Sequence, residues 1–168
     1  MNSPATDLSA KASATADHWS LVTKYLTWIA RIALGAIFIA ASWHKLKMPG
    51  EFALDIFHYQ LAPGFLINAT ALILPWVELF AGIAIIVAPR LRLGAAIVIL
   101  GMLVVFTSAI AINLYRGIDV TCGCFSSGGK GQRIGTIKVF ENLGMILAAW
   151  FLVRREKSLE PKPPRFQL

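Results

Sequence analysis

The sequence predicts an all-α membrane protein, a four-transmembrane-helix bundle with an interfacial amphipathic helix in its first outward loop. The first observation behind this prediction is composition. Of the 168 residues, 57% are hydrophobic and only 15% are charged, and the mean hydropathy is +0.65. So few polar side chains cannot cover a globular surface in water. The second is that four apolar runs reach or come close to the ~20 residues needed to cross a hydrocarbon core of roughly 30 Å.

The four runs define the predicted spans. They cover about residues 26–43, 65–88, 93–114 and 134–153. The first run is longer than the roughly 7–15 apolar residues of a signal peptide, and three more spans follow it, so we interpret it as a permanent helix. The transmembrane domain is then residues 23–153. Polar and Pro-rich composition predicts disordered tails at 1–22 and 154–168.

Basic residues are divided unevenly between the two sides of the predicted bundle. The net charge of +7 therefore indicates membrane topology rather than binding to nucleic acid. The side with both tails holds nine: Lys11, Lys24, Arg90, Arg92, Arg154, Arg155, Lys157, Lys162 and Arg165. The opposite side holds five: Lys45, Lys47, Arg116, Lys130 and Arg133. The positive-inside rule puts both termini in the cytoplasm and the cysteine loop outside, which in a bacterial inner membrane is the periplasm.

The first outward loop has the pattern of a short amphipathic helix. Pro49 precedes the pattern, and Pro63 and Gly64 follow it. Two stripes recur at helical spacing, an apolar one of Phe52, Ile56 and Tyr59 and a polar one of Glu51, Asp55 and His58. We expect this helix to lie in the membrane interface, with the polar stripe as a solvated face rather than a metal site.

The only two cysteines lie in the segment 119–131, which reads DVTCGCFSSGGKG. Cys122 and Cys124 can form a disulfide only if the backbone bends, and Gly123 permits the bend. So short a ring is strained and easily reduced, which favours a bond that is exchanged with a partner over one that stabilises a fold. Inert loop packing or metal binding is the alternative interpretation.

Three residues are candidates for supporting the thiols. His44, at the end of the first helix, is either a polar anchor in the headgroup region or a proton donor and acceptor beside a thiol. Arg116 precedes the cysteines and favours the reactive thiolate if it is near them. Glu141 either pairs with Lys138 at i, i+3 or points toward the cysteine loop.

Arg31 and Glu78 are ionisable residues at membrane depth. At ~1.5 Å per residue, each lies ~18–20 Å along its helix from the outer end of the span, so the two residues share a depth. Because these helices are antiparallel, the sequence predicts an Arg31–Glu78 contact. The alternative is that Arg31 reaches the cytoplasmic headgroups and Glu78 shuttles protons. Pro75, one turn before Glu78, predicts a kink.

Several motifs, in order, resemble those of the MauE family and its DoxX-like relatives, which are four-helix bacterial membrane proteins. The resemblance covers about residues 31–153. It rests on the pair His44–Lys45, on LPWVEL with Pro75 and Glu78, and on RGID followed by CGCF, residues 116–119 and 122–125.

The resemblance implies a role in maturing the disulfide-rich small subunit of periplasmic methylamine dehydrogenase, alongside a thioredoxin-like partner. The chain would then be a membrane thiol/disulfide oxidoreductase, with Cys122, Cys124 and His44 as catalytic residues. Glu78, Arg31, Lys45, Glu141 and Arg116 would give proton or ionic support. By analogy of fold class, the bundle could also exchange electrons with a quinone. Two alternatives remain: a noncatalytic docking factor for the thioredoxin-like partner, and a small transporter with Arg31 and Glu78 as its substrate site.

Overall fold

The computed structural model describes the backbone of residues 4–60, 63–116 and 136–159, and the side chains of residues 20–60, 63–116 and 139–159. No described residue lies in a strand, so the all-α prediction is confirmed for this part of the chain. The elements in order are α1 (Pro4–Lys47), α2 (Pro49–His58), α3 (Gly64–Val87), the 3₁₀ turn η1 (Pro89–Leu91), α4 (Arg92–Tyr115) and α5 (Thr136–Leu159).

Prolines mark where several of these helices begin. Pro49 and Pro89 occupy first-turn positions, where the missing N–H costs nothing. Helix α1 begins at Pro4 and therefore includes most of residues 1–22, for which composition predicts a disordered tail. Alanine is frequent in that segment and favours helix. At its other end α1 continues to Lys47, one turn beyond the predicted end at residue 43.

The long helices run in alternating directions. Helix α1 packs most extensively on α3 and α4 on α5, while α3 also contacts α4 and α5 also contacts α1. The short helix α2 packs on α3 and α1 at one end of the bundle, which we call the α2 end. The opposite end, where the 3₁₀ turn joins α3 to α4, is the η1 end.

Two glycines allow α1 and α3 to approach closely. A Cβ atom on Gly35 would lie 2.8 Å from the carbonyl oxygen of Gly82, and one on Gly82 would lie 3.0 Å from the carbonyl oxygen of Gly35. A methyl group on Gly35 would therefore require the backbone of α3 to move, and one on Gly82 would make a contact tighter than almost all observed for Cβ atoms. Close approach at small residues is how helices gain packing energy inside a bilayer, where the lipid tails are themselves apolar. The contact also fixes the register of the two helices.

One stripe of α1 faces the bundle along its length. It recurs at spacings of three and four residues, as expected for a buried helical face. Its members are Thr27, Arg31, Leu34, Phe38, Ala41, Ser42 and Lys45. Leu34 and Phe38 join the apolar core. Arg31 and Lys45 lie on the same stripe, so both cations point into the protein.

Large apolar side chains cover the outside of the bundle. Among the more exposed are Ile29, Ile73, Phe80, Val105 and Leu147. In the described residues, three helical segments are long and apolar enough to cross a membrane: Ser20–Lys47, Gly64–Val87 and Pro89–Tyr115. Exposed apolar surface on this scale fits a lipid environment. Helix α5 is not among the three, so a count of four spans stays a prediction.

Candidate functional site

Lys45 and Glu78 form an ion pair inside the bundle near the α2 end. The Lys45 Nζ donates to Glu78 Oε1 at 2.5 Å, and the residues are 1% and 2% exposed. A charge this deeply buried is tolerated only when it is paired. Lys45, which the charge count assigned to the outward side of the bundle, is therefore a buried residue rather than an exposed cation.

Aromatic rings complete the surroundings of the lysine. Its Nζ lies 4.8 Å from the centre of the Phe52 ring and 5.2 Å from that of Phe106. Both are within the range of a cation–π interaction. Phe52 belongs to α2 and Phe106 to α4, so one ammonium group on α1 holds elements from α2, α3 and α4 together.

Asp55 is the second buried carboxyl at this end. It lies one turn after Phe52 on the face of α2 that packs against the bundle, and it is 7% exposed. The prediction that Asp55 is part of a solvated stripe is therefore wrong, whereas His58 is exposed. Burial raises the pKa of the Asp55 carboxyl above its usual value; among nearby charges, His58 and Lys45 lower it and Glu51 raises it.

The predicted contact between Arg31 and Glu78 is wrong. With Gly35 beside Gly82, Arg31 lies about one turn toward the η1 end and Glu78 about one turn toward the α2 end, which separates them by ~12 Å along the axis. Helical side chains lean toward the N-terminus of their own helix. In these antiparallel helices Arg31 and Glu78 lean apart, while Lys45 and Glu78 lean toward each other.

Arg31 pairs instead with Glu156 of α5. Its Nη2 donates to Glu156 Oε1, and both side chains are buried. Glu156 follows Ala149 and Leu152 on one buried stripe of α5, which runs past the predicted end of the fourth span at residue 153. This second pair fixes α1 to α5 near the η1 end.

Glu156→Gln should destabilise the protein by about 1–3 kcal/mol, because it removes the charged partner of a buried cation. The expected loss is smaller than at Lys45, since Arg31 is nearer the end of the bundle and its long side chain can reach water. Chemical unfolding of the purified protein in detergent measures it. Lys157→Gln, which changes the exposed neighbour, is the control, and equal stability of the two variants would contradict a structural role for the pair.

The other predicted site residues are dispersed or lie outside the described residues. His44 is half-buried in the last turn of α1, and Arg116 is exposed at the C-terminal cap of α4. Glu141 is exposed in the second turn of α5. Cys122 and Cys124 fall in residues 117–135, outside the described part of the chain.

The described residues that flank the cysteine segment both belong to the α2 end. Helix α4 starts at the η1 end and passes Lys45 at Phe106, so Arg116 lies at the α2 end. The Arg31–Glu156 contact puts the last turns of α5 at the η1 end, so Thr136 is at the α2 end as well. Arg116 and Thr136 thus both lie at the end that holds Lys45, Glu78 and Asp55.

Sequence reasoning missed Asp55, Glu156 and Asn113 as buried polar residues. Asn113 is fully buried in α4, its Nδ2 donates to the Ala109 carbonyl at 3.0 Å, and its Oδ1 has no hydrogen-bond partner. Helical spacing could have indicated that two of them are buried. Asp55 lies one turn after the apolar Phe52, and Glu156 lies one turn after the apolar Leu152, on the same helix face in each case.

Comparison with known proteins identifies the family. Residues 23–154 match the family described as "Methylamine utilisation protein MauE". The chain belongs to the MauE family. This confirms the resemblance carried by the His44–Lys45, LPWVEL and CGCF motifs.

Relatives described as MauE occur in several bacteria. The protein of Paracoccus denitrificans is 35% identical over 124 residues, which cover 73% of this chain and 66% of the relative. That of Methylophilus methylotrophus is 37% identical over 117 residues, 69% of this chain and 61% of the relative. That of Methylorubrum extorquens is 35% identical over 134 residues, 79% of this chain and 70% of the relative. The chain thus spans about two thirds of the length of these relatives, and no solved structure matches it significantly.

The MauE match includes the Lys45–Glu78 ion pair entirely. Lys45, Glu78 and Asp55 lie within residues 23–154, as does the cysteine segment. Glu156 lies just outside the matched region, although its partner Arg31 lies inside it. The α2 end is therefore the better candidate for a site related to the function of the MauE family.

Proposed function

We propose that this chain is a bacterial inner-membrane protein of methylamine utilisation that matures a disulfide-rich periplasmic client, such as the small subunit of methylamine dehydrogenase. In this proposal Cys122 and Cys124 exchange disulfides with the client or with a thioredoxin-like partner. The observation that carries it is membership in the MauE family over a region that contains both cysteines and the buried Lys45–Glu78 pair.

The positions of Arg116 and Thr136, the described residues on either side of the cysteines, support this proposal. Both lie at the α2 end, and in this proposal the thiols act at the same end as the buried charges. A thiolate must reach a disulfide of the partner directly, which requires a segment at the bundle surface. His44 is also in the last helical turn at this end.

The charge distribution of the described residues supports a periplasmic α2 end. Exposed or half-buried cations gather at the η1 end: Lys24, Arg90, Arg92, Arg154, Arg155 and Lys157. At the α2 end the charge of Lys45 is neutralised by Glu78, which leaves Lys47 and Arg116 as exposed cations in the described residues there. The positive-inside rule then gives a cytoplasmic η1 end, cytoplasmic termini and a periplasmic cysteine segment.

Replacing both cysteines by serine should abolish the function. Thiol–disulfide exchange forms and then resolves a mixed disulfide, and a serine hydroxyl can do neither. The test uses a bacterium that grows on methylamine, lacks its own MauE and expresses this chain. We expect the Cys122→Ser/Cys124→Ser variant to lose growth on methylamine and the oxidised form of the client, as shown by thiol alkylation of periplasmic extracts.

A matched control changes two neighbours in the same segment, Ser126→Ala/Ser127→Ala, and should grow normally. Single cysteine variants should trap a mixed disulfide with the partner, visible on a non-reducing gel. A membrane-impermeant maleimide should label the reduced wild type from the periplasmic side. Full maturation of the client by the double serine variant would overturn the proposal.

A second candidate is a noncatalytic docking factor for a thioredoxin-like protein. The observation that favours it is the outer face of α2, where Leu54 is 58% and Phe57 is 59% exposed. Normal growth of the double serine variant, together with loss of growth in Leu54→Ser/Phe57→Ser, would favour this candidate. The transporter hypothesis required Arg31 and Glu78 in one site, and the structure pairs each with a different residue.

A further inference from the structure

The buried groups at the α2 end do not balance in charge if all of them are ionised. Lys45 contributes one positive charge, and Glu78 and Asp55 contribute one negative charge each. Glu78 accepts the hydrogen bond of Lys45 through Oε1, which leaves its Oε2 buried with no partner, and Asp55 Oδ2 is likewise buried with no partner. Glu51 Oε2 is also buried with no partner, but Glu51 as a whole is only half-buried, so it is not counted among the buried residues. An unpaired buried carboxylate is very costly, and a carboxyl group avoids this cost by binding a proton.

We propose that Lys45, Glu78 and Asp55 form a proton-binding site at the α2 end, in which Asp55 holds the proton. Lys45 and Glu78 satisfy each other as an ion pair at 2.5 Å, whereas Asp55 forms neither of the ion pairs given above and is influenced by His58 and Lys45 only through their nearby charges. Phe52, one turn before Asp55, lies over the ammonium group of Lys45 and so brings this face of α2 to the pair. With one proton bound, the buried cluster is neutral.

The charged groups around Asp55 come from every element that packs on α2. On α2 itself they are Glu51 and His58. On α3, which also packs on α2, the charged group at this end is Glu78, whose contact is with Lys45. On α1 they are Lys45 and, in the same last turn, His44 and Lys47, of which Lys47 is exposed with its Nζ 5.1 Å from the centre of the Trp43 ring. Burial is the largest influence on Asp55 and raises the pKa of its carboxyl, as the geometry requires.

Proton binding is thereby linked to the packing of α2. Asp55 belongs to α2, while Lys45 and Glu78 belong to α1 and α3. Loss of the proton leaves a negative charge in the contact between α2 and the bundle, which weakens that contact. This site goes beyond the proposed thiol function and does not need the cysteines.

Infrared titration of the full chain in lipid nanodiscs tests the site directly. We expect the wild type to show the C=O band of a protonated carboxyl group at pH values where exposed carboxylates are already ionised. Asp55→Asn should remove the band. Glu51→Gln, one turn earlier on α2, is the matched control and should keep it, with a midpoint at lower pH because a like charge is gone.

Glu78→Gln tests whether the site is shared. Without the Glu78 carboxylate, the positive charge of Lys45 is no longer neutralised and stabilises the ionised form of Asp55. The midpoint of the band should therefore also move to lower pH. An unchanged midpoint would contradict the shared site, and a band that persists in Asp55→Asn would overturn the assignment to Asp55. The Cys122→Ser/Cys124→Ser variant should keep the wild-type band, which separates failure of this proposal from failure of the thiol function.

Stability as a function of pH gives an independent measurement. Because the pKa of Asp55 is raised in the folded protein, the folded state binds more protons than the unfolded state above pH ~4. Stability from this group is fully present below that pH and is lost as pH rises through the raised pKa. The unfolding equilibrium constant of the wild type should rise up to tenfold per pH unit in this window relative to Asp55→Asn. Parallel pH profiles of the two proteins would overturn the proposal.

Discussion

Lys45→Met should lower the free energy of unfolding by about 3–5 kcal/mol, because it leaves the Glu78 carboxylate buried without its cation. Methionine keeps most of the volume of the lysine side chain, so the loss reflects charge rather than a cavity. The ammonium group also contacts the rings of Phe52 and Phe106, and these contacts disappear with it. Reversible unfolding of the purified protein in mixed detergent micelles measures the change.

The matched control for this variant is Lys47→Met. Lys47 is exposed two residues further along α1 and lies over the Trp43 ring, so its loss should cost less than about 1 kcal/mol. Lys45→Met/Glu78→Gln should recover a large part of the loss, because the partner no longer carries a buried charge. If Lys45→Met were as stable as Lys47→Met, the ion pair would have no structural importance.

Gly35→Val should cost about 1–3 kcal/mol or prevent folding, because the new side chain collides with backbone on α3. The Cβ atom alone would lie 2.8 Å from the Gly82 carbonyl oxygen and 2.5 Å from Ile86 Cδ1. The isoleucine side chain can move aside, but the carbonyl oxygen moves only if the two helices separate. Because the Gly35–Gly82 contact sets the register of α1 and α3, Lys45 and Glu78 are also displaced. Thermal unfolding and the yield of folded protein measure the effect.

Gly101→Val is the control for the glycine variant. A Cβ atom on Gly101, in the middle of α4, meets nothing within 4 Å. Both substitutions change helix propensity by the same small amount, so their difference isolates the collision. Equal stability of the two variants would show that α1 and α3 can separate without cost, contrary to their observed packing.

Helix positions could be predicted from this sequence, whereas the pairing of charges could not. Apolar runs of sufficient length indicate the helices directly, and Pro49 and Pro63 bracketed α2. The contact of Arg31 was missed because hydropathy ended the fourth span at residue 153, before Glu156. The helix itself continues through these charged residues to Leu159, because a helix ends where its hydrogen bonding ends and not where its hydropathy falls.

Depth alone was an insufficient guide to the partner of Glu78. Arg31 and Lys45 are separated from the level of Glu78 by similar axial distances, roughly 12 Å and 9 Å, so counting residues does not choose between them. The lean of each side chain toward its own N-terminus makes the choice, and it favours Lys45. Asp55 was misplaced for a related reason: polarity predicts a solvated face, while its spacing from Phe52 predicts a buried one.

The two ion pairs differ greatly in separation along the chain. Lys45 and Glu78 are 33 residues apart, while Arg31 and Glu156 are 125 apart. At a synthesis rate of about 5–20 residues per second, the partner of Lys45 follows within roughly 2–7 s, but that of Arg31 only after roughly 6–25 s. During this interval the newly made α1 has no carboxylate for Arg31. The contact of α1 with α5 through this pair can therefore form only after residue 156 has been made, so the Lys45–Glu78 contact between α1 and α3 can form first.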